Sequence, residues 1–116
     1  MAKDATDLLC DVLEATGLPY YRQGSLLPDE PYPEDFFTYW EPEAEEMYYD
    51  NKPVACVHRF WVYYYTCHRI SVATRLPELR QALTDAGFET SPPVDAKSDE
   101  RSHVGKVMEV KIAIYY

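Results

Sequence analysis

The longest strand candidate, residues 54–66, constrains the fold of this chain most strongly. It is nearly all β-branched or aromatic, residue types that favour extended strands: Val57, Phe60, Trp61, Val62, Tyr63, Tyr64 and Tyr65. Bulky side chains fall on both faces, so we expect one face to meet the core and the other a helix or a partner chain. Residues 108–115 alternate apolar and polar side chains, which predicts a second, half-buried strand.

Two helices are predicted, each with a recognisable end. The first covers about residues 5–16, with Asp4 as its N-cap, Gly17 after its last turn and Pro19 blocking continuation. The second covers about residues 74–86; Pro77 is expected in its first turn, and Gly87 repeats the glycine ending.

Shorter strands complete the predicted order. Residues 20–22, 36–40 and 47–49 have β character, and Asp50–Asn51 is typical of a hairpin turn. Residues 89–105 show no periodicity, so we expect a long functional connection there. The sequence therefore predicts one α+β domain, residues 1–116, in the order α–β(β)–β–α–β: a small, mainly antiparallel sheet with both helices packed on one face.

The charge is unevenly distributed. The chain has a net charge of −9, and residues 1–50 carry −11 whereas residues 51–116 carry +2. An acidic surface repels nucleic acid and argues against ordinary DNA binding, although solubility alone explains it equally well. No apolar run is long enough to cross a bilayer and the N-terminus is unlike a signal peptide, so we expect cytoplasmic synthesis and no membrane partner.

Catalytic and metal chemistry find little support in the sequence. Cys56 and His58, followed by Cys67 and His68, form the one metal-like cluster, but they lack the spacing of common structural zinc sites. A Cys/His nucleophilic pair with His103 is conceivable, yet nothing nearby marks an activated thiol. We therefore expect no enzyme activity, no cofactor and no catalytic or metal-binding residue.

Aromatic side chains are the main interaction feature. The chain holds 17 of them, 11 being tyrosine. One small domain cannot fully bury so many, so about half are expected to be core and the rest to meet another chain.

Several segments together resemble the tail terminator (tail-completion) proteins of long-tailed bacteriophages. They are Phe36–Phe37–Thr38–Tyr39–Trp40, the acidic stretch leading to Tyr49–Asp50–Asn51, the strand Val57–Tyr65 and the ending Ala86–Gly87–Phe88. Ser98–Asp99–Glu100, followed by His103, Gly105 and Glu109, is similar to the family's entry into its last strand. The resemblance covers about residues 36–116. Pro53 departs from the pattern and is expected to shorten the hairpin there.

The resemblance implies a homo-hexameric ring that caps the tail tube, ends tail polymerisation and presents a surface for head–tail joining. The implied partners are further copies of the chain, the tail tube protein and the head–tail connector protein, with genomic DNA passing through the channel without specific binding. The implied location is the tail–neck region of the virion, with assembly in the host cytoplasm.

The candidate site residues follow from these features. Those expected at a subunit or tube interface are Phe36, Phe37, Tyr39, Trp40, Tyr48, Tyr49, Asp99, Glu100, Arg101, His103 and Gly105. Gly105 is expected to allow a sharp entry into the last strand. Candidates for an acidic channel lining are Glu41, Glu43, Glu45 and Glu46, although such a charge run is more often a solvated face.

Three other functions remain open at this point. A neighbouring head–tail connector of similar fold would also form a ring, and only its position in the virion separates the two. An acidic inhibitor that mimics DNA would space its acids like phosphates, whereas these acids cluster in one region. A small enzyme is the least favoured alternative.

Overall fold

A computed structural model describes residues 4–23, 33–42, 44–96 and 103–115 of the chain. The helices are α1 (Ala5–Ala15) and α2 (Arg69–Asp85). The strands are β1 (Tyr20–Arg22), β2 (Asp35–Trp40), β3 (Ala44–Tyr49), β4 (Lys52–Thr66), β5 (Glu89–Thr90), β6 (Val94–Ala96) and β7 (Val104–Tyr115). The predicted α+β class is confirmed.

β4 is the centre of a single seven-stranded sheet. The strand order is β1-β2-β4-β7-β5, with β3 also paired to β4 and β6 also paired to β7. β1 and β2 run parallel, and every other pairing is antiparallel. β4 pairs with β7 from Ala55 to Thr66, so these two long strands fix the length of the molecule, which measures 52 Å along its longest axis.

The register of β2 on β4 separates the two faces of the sheet. Phe37 lies opposite Tyr64 on one face, whereas Phe36 lies opposite Tyr65 on the other. Even-numbered residues of β4 from Phe60 to Thr66 are buried, and the odd-numbered residues between them are half-buried. Both helices pack on the first face, as predicted, and the second face, which we call the open face, has no helix on it in the described structure.

The core lies between this first face and the two helices. α1 contributes Leu9 and Leu13, which are fully buried, and α2 contributes three leucines at helical spacing: Leu76, Leu79 and Leu83. They pack on Phe37, Phe60, Val62, Tyr64, Met108, Val110 and Ile112 from the sheet. Each helix therefore buries one apolar stripe against the sheet.

The ends of α1 agree with the sequence prediction. The Asp4 side chain accepts a hydrogen bond from the backbone N–H of Asp7 at 2.8 Å, which satisfies one orphan donor of the first turn. At the other end, Gly17 has φ of 80°, the left-handed conformation that glycine adopts without strain.

The predicted start of α2 is wrong. The helix begins at Arg69 rather than near Thr74, and Pro77 lies inside it rather than in its first turn. Because proline has no N–H, the carbonyl of Ala73 lacks its usual helical donor. The first turns of the helix carry exposed side chains such as Ile70, so the sequence shows no apolar stripe that would predict helix there. The C-terminal ending is confirmed: Gly87 has φ of 98° and buried Phe88 donates its N–H to the carbonyl of Leu83.

The hairpin between β3 and β4 is longer than predicted. Asp50 and Asn51 both have positive φ, as the predicted tight turn requires. Pro53 does not shorten the hairpin; it pairs with Tyr48 next to an irregularity between Met47 and Tyr48. The register shift leaves Val54 of β4 without a Cα partner on β3, and irregular positions of this kind are where strands tolerate proline.

The connection between α2 and β7 is also more ordered than the sequence predicted. β5 and β6 both pair with β7, and Ser91 reinforces them: its N–H donates to the Glu109 carbonyl and its hydroxyl accepts from the Glu109 N–H, both at 2.9 Å. Two- and three-residue strands are too short to show periodicity, which explains the error. Because β6 occupies residues 94–96, shortening the connection there would remove a strand of the sheet.

Candidate assembly surfaces

The most prominent surface is an arm that extends past the helices. We define the arm as residues 44–58, which are β3 and the first part of β4, together with residues 113–115 of β7. The buried core ends at Phe60 on β4 and Ile112 on β7, and the whole of β3 is exposed. The arm is held together by its own cross-strand pairs.

Large apolar side chains are exposed on the arm. The exposed fractions are 44 % for Met47, 65 % for Tyr48, 72 % for Tyr49 and 71 % for Tyr115. Ala55, the small residue that pairs with both Met47 and Tyr115, is completely buried between them. Tyrosines that are this exposed on an edge hairpin are typical of a surface that is buried on assembly. The prediction that Tyr48 and Tyr49 are available to a partner agrees with this exposure.

In the described structure, a glutamate–histidine contact and an ion pair link the arm to the sheet. At its base, Oε1 of Glu41 lies 2.6 Å from Nδ1 of His58, and both side chains are about three-quarters buried. Further along, Glu45 lies 3.4 Å from Arg59 in an exposed pair. These contacts add to the continuous β4–β7 pairing that carries the arm out of the sheet.

These contacts argue against a channel surface formed continuously by the four predicted glutamates. The Glu41 carboxylate is in contact with the His58 ring. Glu45 and Glu46 are neighbours in β3, so their side chains point to opposite faces of the sheet. Glu43 lies outside the described residues. Within the described part, Glu45 and Glu46 therefore cannot line one surface together, although each is exposed.

The open face of the sheet carries a row of aromatic rings. The Phe36 and Tyr65 rings stack with centroids 5.2 Å apart, and Tyr63 stacks on Tyr65 at 6.1 Å with planes 5° apart. Trp61 and Trp40 face each other across the β4–β2 pair and continue the row. Tyr63, Tyr65 and Trp61 are half-buried and Trp40 is exposed, so much aromatic surface remains accessible on this face.

Three aromatics predicted at an interface are instead internal. Phe37 is 1 % exposed in the helix-side core, and Phe36 is 4 % exposed beneath Tyr21, Tyr65 and His103. Tyr39 is half-buried on the helix side, where burial and a hydrogen bond with Cys10 raise its pKa to about 12. Alternating strand geometry buries one side of β2 and ring stacking covers Phe36, so Trp40 alone of this segment is exposed.

The predicted contact loop is seen only in part. Asp99, Glu100 and Arg101 lie outside the described residues. His103 is half-buried and its Nε2 lies 2.8 Å from the carbonyl oxygen of Pro33. Gly105 is buried inside β7, where a Cβ would lie 2.9 Å from Cε1 of Tyr65. The glycine is therefore explained by the close approach of Tyr65 and not by a sharp turn into the strand.

The structure brings together one cysteine–histidine pair. Sγ of Cys67 lies 3.4 Å from Nε2 of His103, and Cys67 is exposed. The Pro33 carbonyl can only accept, so Nε2 must carry the proton that it donates there. That nitrogen then has no lone pair with which to take the thiol proton, and the pair does not form a nucleophile and base. Among the described residues, no group of three or more histidine, cysteine or carboxylate side chains could hold a metal ion.

The sequence reasoning missed a further surface, a cleft lined by α2, by Thr90 of β5 and Pro93 after it, and by Lys106 of β7. It has a volume of about 520 Å³ and combines apolar walls with two cationic side chains, Arg80 and Lys106. No local sequence pattern predicts this cleft, because its walls come from three segments that meet only in the folded protein. Among the described residues, no helix is long and apolar enough to cross a membrane.

Comparison with known proteins shows a shared fold and no sequence family. No family model matches the chain, and no curated protein matches its sequence. The fold itself occurs in a virion. A chain from the virion of a native gene transfer agent (GTA) particle superposes with a TM-score of 0.65. The match covers 97 % of this chain and 87 % of that one at 13 % sequence identity, so the two proteins share a fold that extends over nearly their whole lengths.

Proposed function

We propose that this chain is a structural subunit of a phage-like virion, and specifically the tail terminator that caps the tail tube. The observation that carries the proposal is the fold it shares, over 97 % of its length, with a chain of a gene transfer agent virion. The terminator role rests in addition on the motif resemblance of residues 36–116. Both point to a protein that acts by packing against other chains.

A closed ring suits the surfaces of this molecule. The arm leaves one end of the sheet, whereas the open face and the α2 cleft lie along its body. Contacts between unlike surfaces of identical chains are head-to-tail, and they close into rings when the rotation between neighbours permits. Six copies in one ring would bury the exposed edge strand β3, whose unpaired backbone groups would otherwise invite uncontrolled pairing.

The proposed partners follow from this position. One side of the ring contacts the last ring of tail tube protein, and the other side contacts the head–tail connector protein. Assembly takes place in the host cytoplasm, and the mature ring lies in the tail–neck region of the virion. Exposed acids such as Asp7, Glu14 and Glu46 give the ring a negative surface, past which genomic DNA moves without specific binding.

The proposed role is not enzymatic. The hydrogen bond between His103 and Pro33 prevents His103 from acting as the base for Cys67. Assembly requires only contact surfaces, and the exposed tyrosines of the arm and the aromatic row of the open face provide them.

Deleting the gene for this chain from the genome of the particle tests the proposal. A missing terminator leaves tube growth unchecked, so we expect tails of irregular, extended length by negative-stain electron microscopy, with complementation restoring one length. Tails of normal length that fail to join heads would contradict the terminator role and support the neighbouring connector instead. Normal infectious particles would contradict any structural role in the virion and would favour the acidic inhibitor.

A further inference from the structure

The α2 cleft carries the positive charge of Arg80, which no carboxylate in the described part of the chain neutralises. Nε of Arg80 donates to the hydroxyl of Thr90 at 3.2 Å, and within the described residues no carboxylate lies in ion-pair distance of its guanidinium. Lys106, on the opposite wall, pairs with the exposed carboxylate of Asp95. A half-buried arginine without a carboxylate beside an apolar wall is suited to a partner that supplies both an acid and an apolar side chain.

The size and lining of the cleft fit bulky side chains. Its volume of about 520 Å³ falls within the range of pockets that take small organic molecules, and thus of one or two aromatic side chains. Val72, Leu76, Pro77 and Pro93 supply the apolar part of the lining. Arginine also stacks well on aromatic rings, so a tyrosine would gain from Arg80 as well as from these walls.

The arm offers the matching combination. Its end presents Met47, Tyr48 and Tyr49. Together with Tyr115, Tyr48 and Tyr49 are the most exposed tyrosines among the described residues. Glu46 and Asp50 lie in the same hairpin, both exposed and without an ion pair in the described part of the chain. Although Lys52 lies in the same hairpin, the two carboxylates outnumber it, so the arm end is apolar and acidic where the cleft is apolar and basic.

An arm cannot reach the cleft of its own chain. Tyr48 pairs with Pro53 at one end of β4, whereas Lys106 pairs with Tyr64 near the other end. At about 3.3 Å per residue, the cleft begins about 23 Å from the arm end, where Thr90 pairs with Val110 opposite Phe60, and it reaches about 36 Å at the level of Tyr64. An arm that fills the cleft must therefore belong to another molecule.

We propose that the end of the arm of one copy docks into the α2 cleft of the next copy, with Tyr48 or Tyr49 against the apolar walls and an arm carboxylate on Arg80. A second copy is the occupant that the charges favour, because the acidic and basic halves of the same chain supply the two sides. The contact joins unlike surfaces, so it propagates around a ring. The inference rests on the proposed function, for which it supplies the contact between neighbouring subunits.

Disulfide trapping between two singly substituted proteins tests the contact. In a background with Cys10, Cys56 and Cys67 changed to serine, Tyr48→Cys is mixed with Gln81→Cys under mild oxidation; Gln81 is exposed and lines the cleft. The matched control replaces Gln81→Cys by Glu14→Cys, which is equally exposed on the other helix. Circular dichroism confirms that each variant is folded, and non-reducing electrophoresis measures the rate of heterodimer formation.

We expect the Tyr48/Gln81 pair to form heterodimers about tenfold faster than the control pair, because a docked arm holds the two thiols together. Adding Arg80→Glu to the cleft partner is expected to remove this excess, since it places a like charge opposite the arm. Equal rates for the two pairs, or an excess that survives Arg80→Glu, would overturn the proposal.

Failure of this inference and failure of the proposed function are distinguishable. If gene deletion yields overlong tails but the two pairs react equally, the chain ends tails by another subunit contact. If the Tyr48/Gln81 excess is found but deletion leaves the tails normal, the chain assembles through its arm for a different purpose.

Discussion

Glu41 and His58 connect the arm to the body of the protein: their side-chain atoms Oε1 and Nδ1 lie 2.6 Å apart at the point where β4 leaves the helix-covered sheet. Both side chains are about three-quarters buried, so solvent weakens this contact less than it weakens a surface pair. The contact adds a side-chain link where β4 and β7 continue into the arm, and in the proposed ring the arm of one subunit meets its neighbour.

The first prediction concerns this contact. Glu41→Gln removes the negative charge while keeping the shape, and we expect it to lower the free energy of unfolding by about 1 kcal/mol. Amide hydrogen exchange in β3 is expected to accelerate, because the base of the arm opens more readily. The control is Glu45→Gln, whose 3.4 Å contact with Arg59 is exposed and is expected to contribute less than about 0.5 kcal/mol. Equal effects of the two changes in urea unfolding would contradict the anchoring role of Glu41.

The second prediction concerns Gly105. A Cβ at this position would lie 2.9 Å from Cε1 of Tyr65 and 3.0 Å from the carbonyl oxygen of Ala96, both too close. We expect Gly105→Ala to destabilise the fold by about 1–3 kcal/mol, measured by urea unfolding, since the ring and β6 must both shift.

A double-mutant cycle with Tyr65→Ala isolates the ring from the backbone contact. Removing the ring relieves the 2.9 Å contact but leaves the one with Ala96. The double variant is therefore expected to recover part of the loss, with a coupling energy of at least about 0.5 kcal/mol. Strict additivity would show that the Tyr65 ring is not what requires glycine here.

The third prediction concerns alkaline pH. Burial raises the pKa of Tyr64 to about 12; a hydrogen bond from its hydroxyl to Asp35 at 2.9 Å acts in the same direction, while Thr66 opposes it. Burial also raises the pKa of Tyr39 to about 12. Because both folded values lie above the unfolded value near 10, stability from these groups is fully present below pH 10 and is lost as the pH rises toward 12.

Urea unfolding between pH 8 and pH 12 measures this loss. Tyr64→Phe keeps the ring but cannot ionise, so we expect a shallower decline above pH 10 than in the wild-type protein. At pH 8 the variant is expected to be about 1 kcal/mol less stable, because Asp35 loses its hydroxyl donor. Parallel curves above pH 10 would show that Tyr64 ionises as easily in the folded state as in the unfolded chain.

The fourth prediction concerns the cysteines. We expect replacement of Cys10, Cys56 and Cys67 by serine or alanine to leave tail assembly intact wherever the fold survives. Metal analysis of the purified protein is expected to find no stoichiometric zinc. If alkylation of Cys67 abolished assembly, or if zinc were released on unfolding, the proximity of Cys67 to His103 would have a role that the hydrogen bond to Pro33 does not explain.

The elements that the sequence predicted well are those with strong local signals. The strand around residues 54–66, the stripe of α1 and the positive-φ glycines at 17 and 87 all encode their structure within a few residues. The two-helix, mainly antiparallel fold follows from these signals once the sheet must bury one face.

The parts that were missed depend on partners distant in the sequence. Ala44–Glu46 is acidic and exposed, and it becomes a strand because β4 supplies its hydrogen bonds. β6 likewise forms on the edge of β7. Phe36 and Trp40 look alike in the sequence, yet ring stacking buries only the first. The cleft that contains Arg80 and Lys106 exists only after α2 and the sheet have packed.

The central claim is that this chain forms a ring at the head-proximal end of a tail tube. Cryo-electron microscopy of the intact particle, with six-fold symmetry tested rather than imposed, measures this directly. We predict six copies of the fold as one closed layer between the last tube ring and the connector, with each arm against a neighbouring copy. A particle in which the chain is absent from that layer, or in which it is present as a two-fold or asymmetric arrangement, would contradict the account.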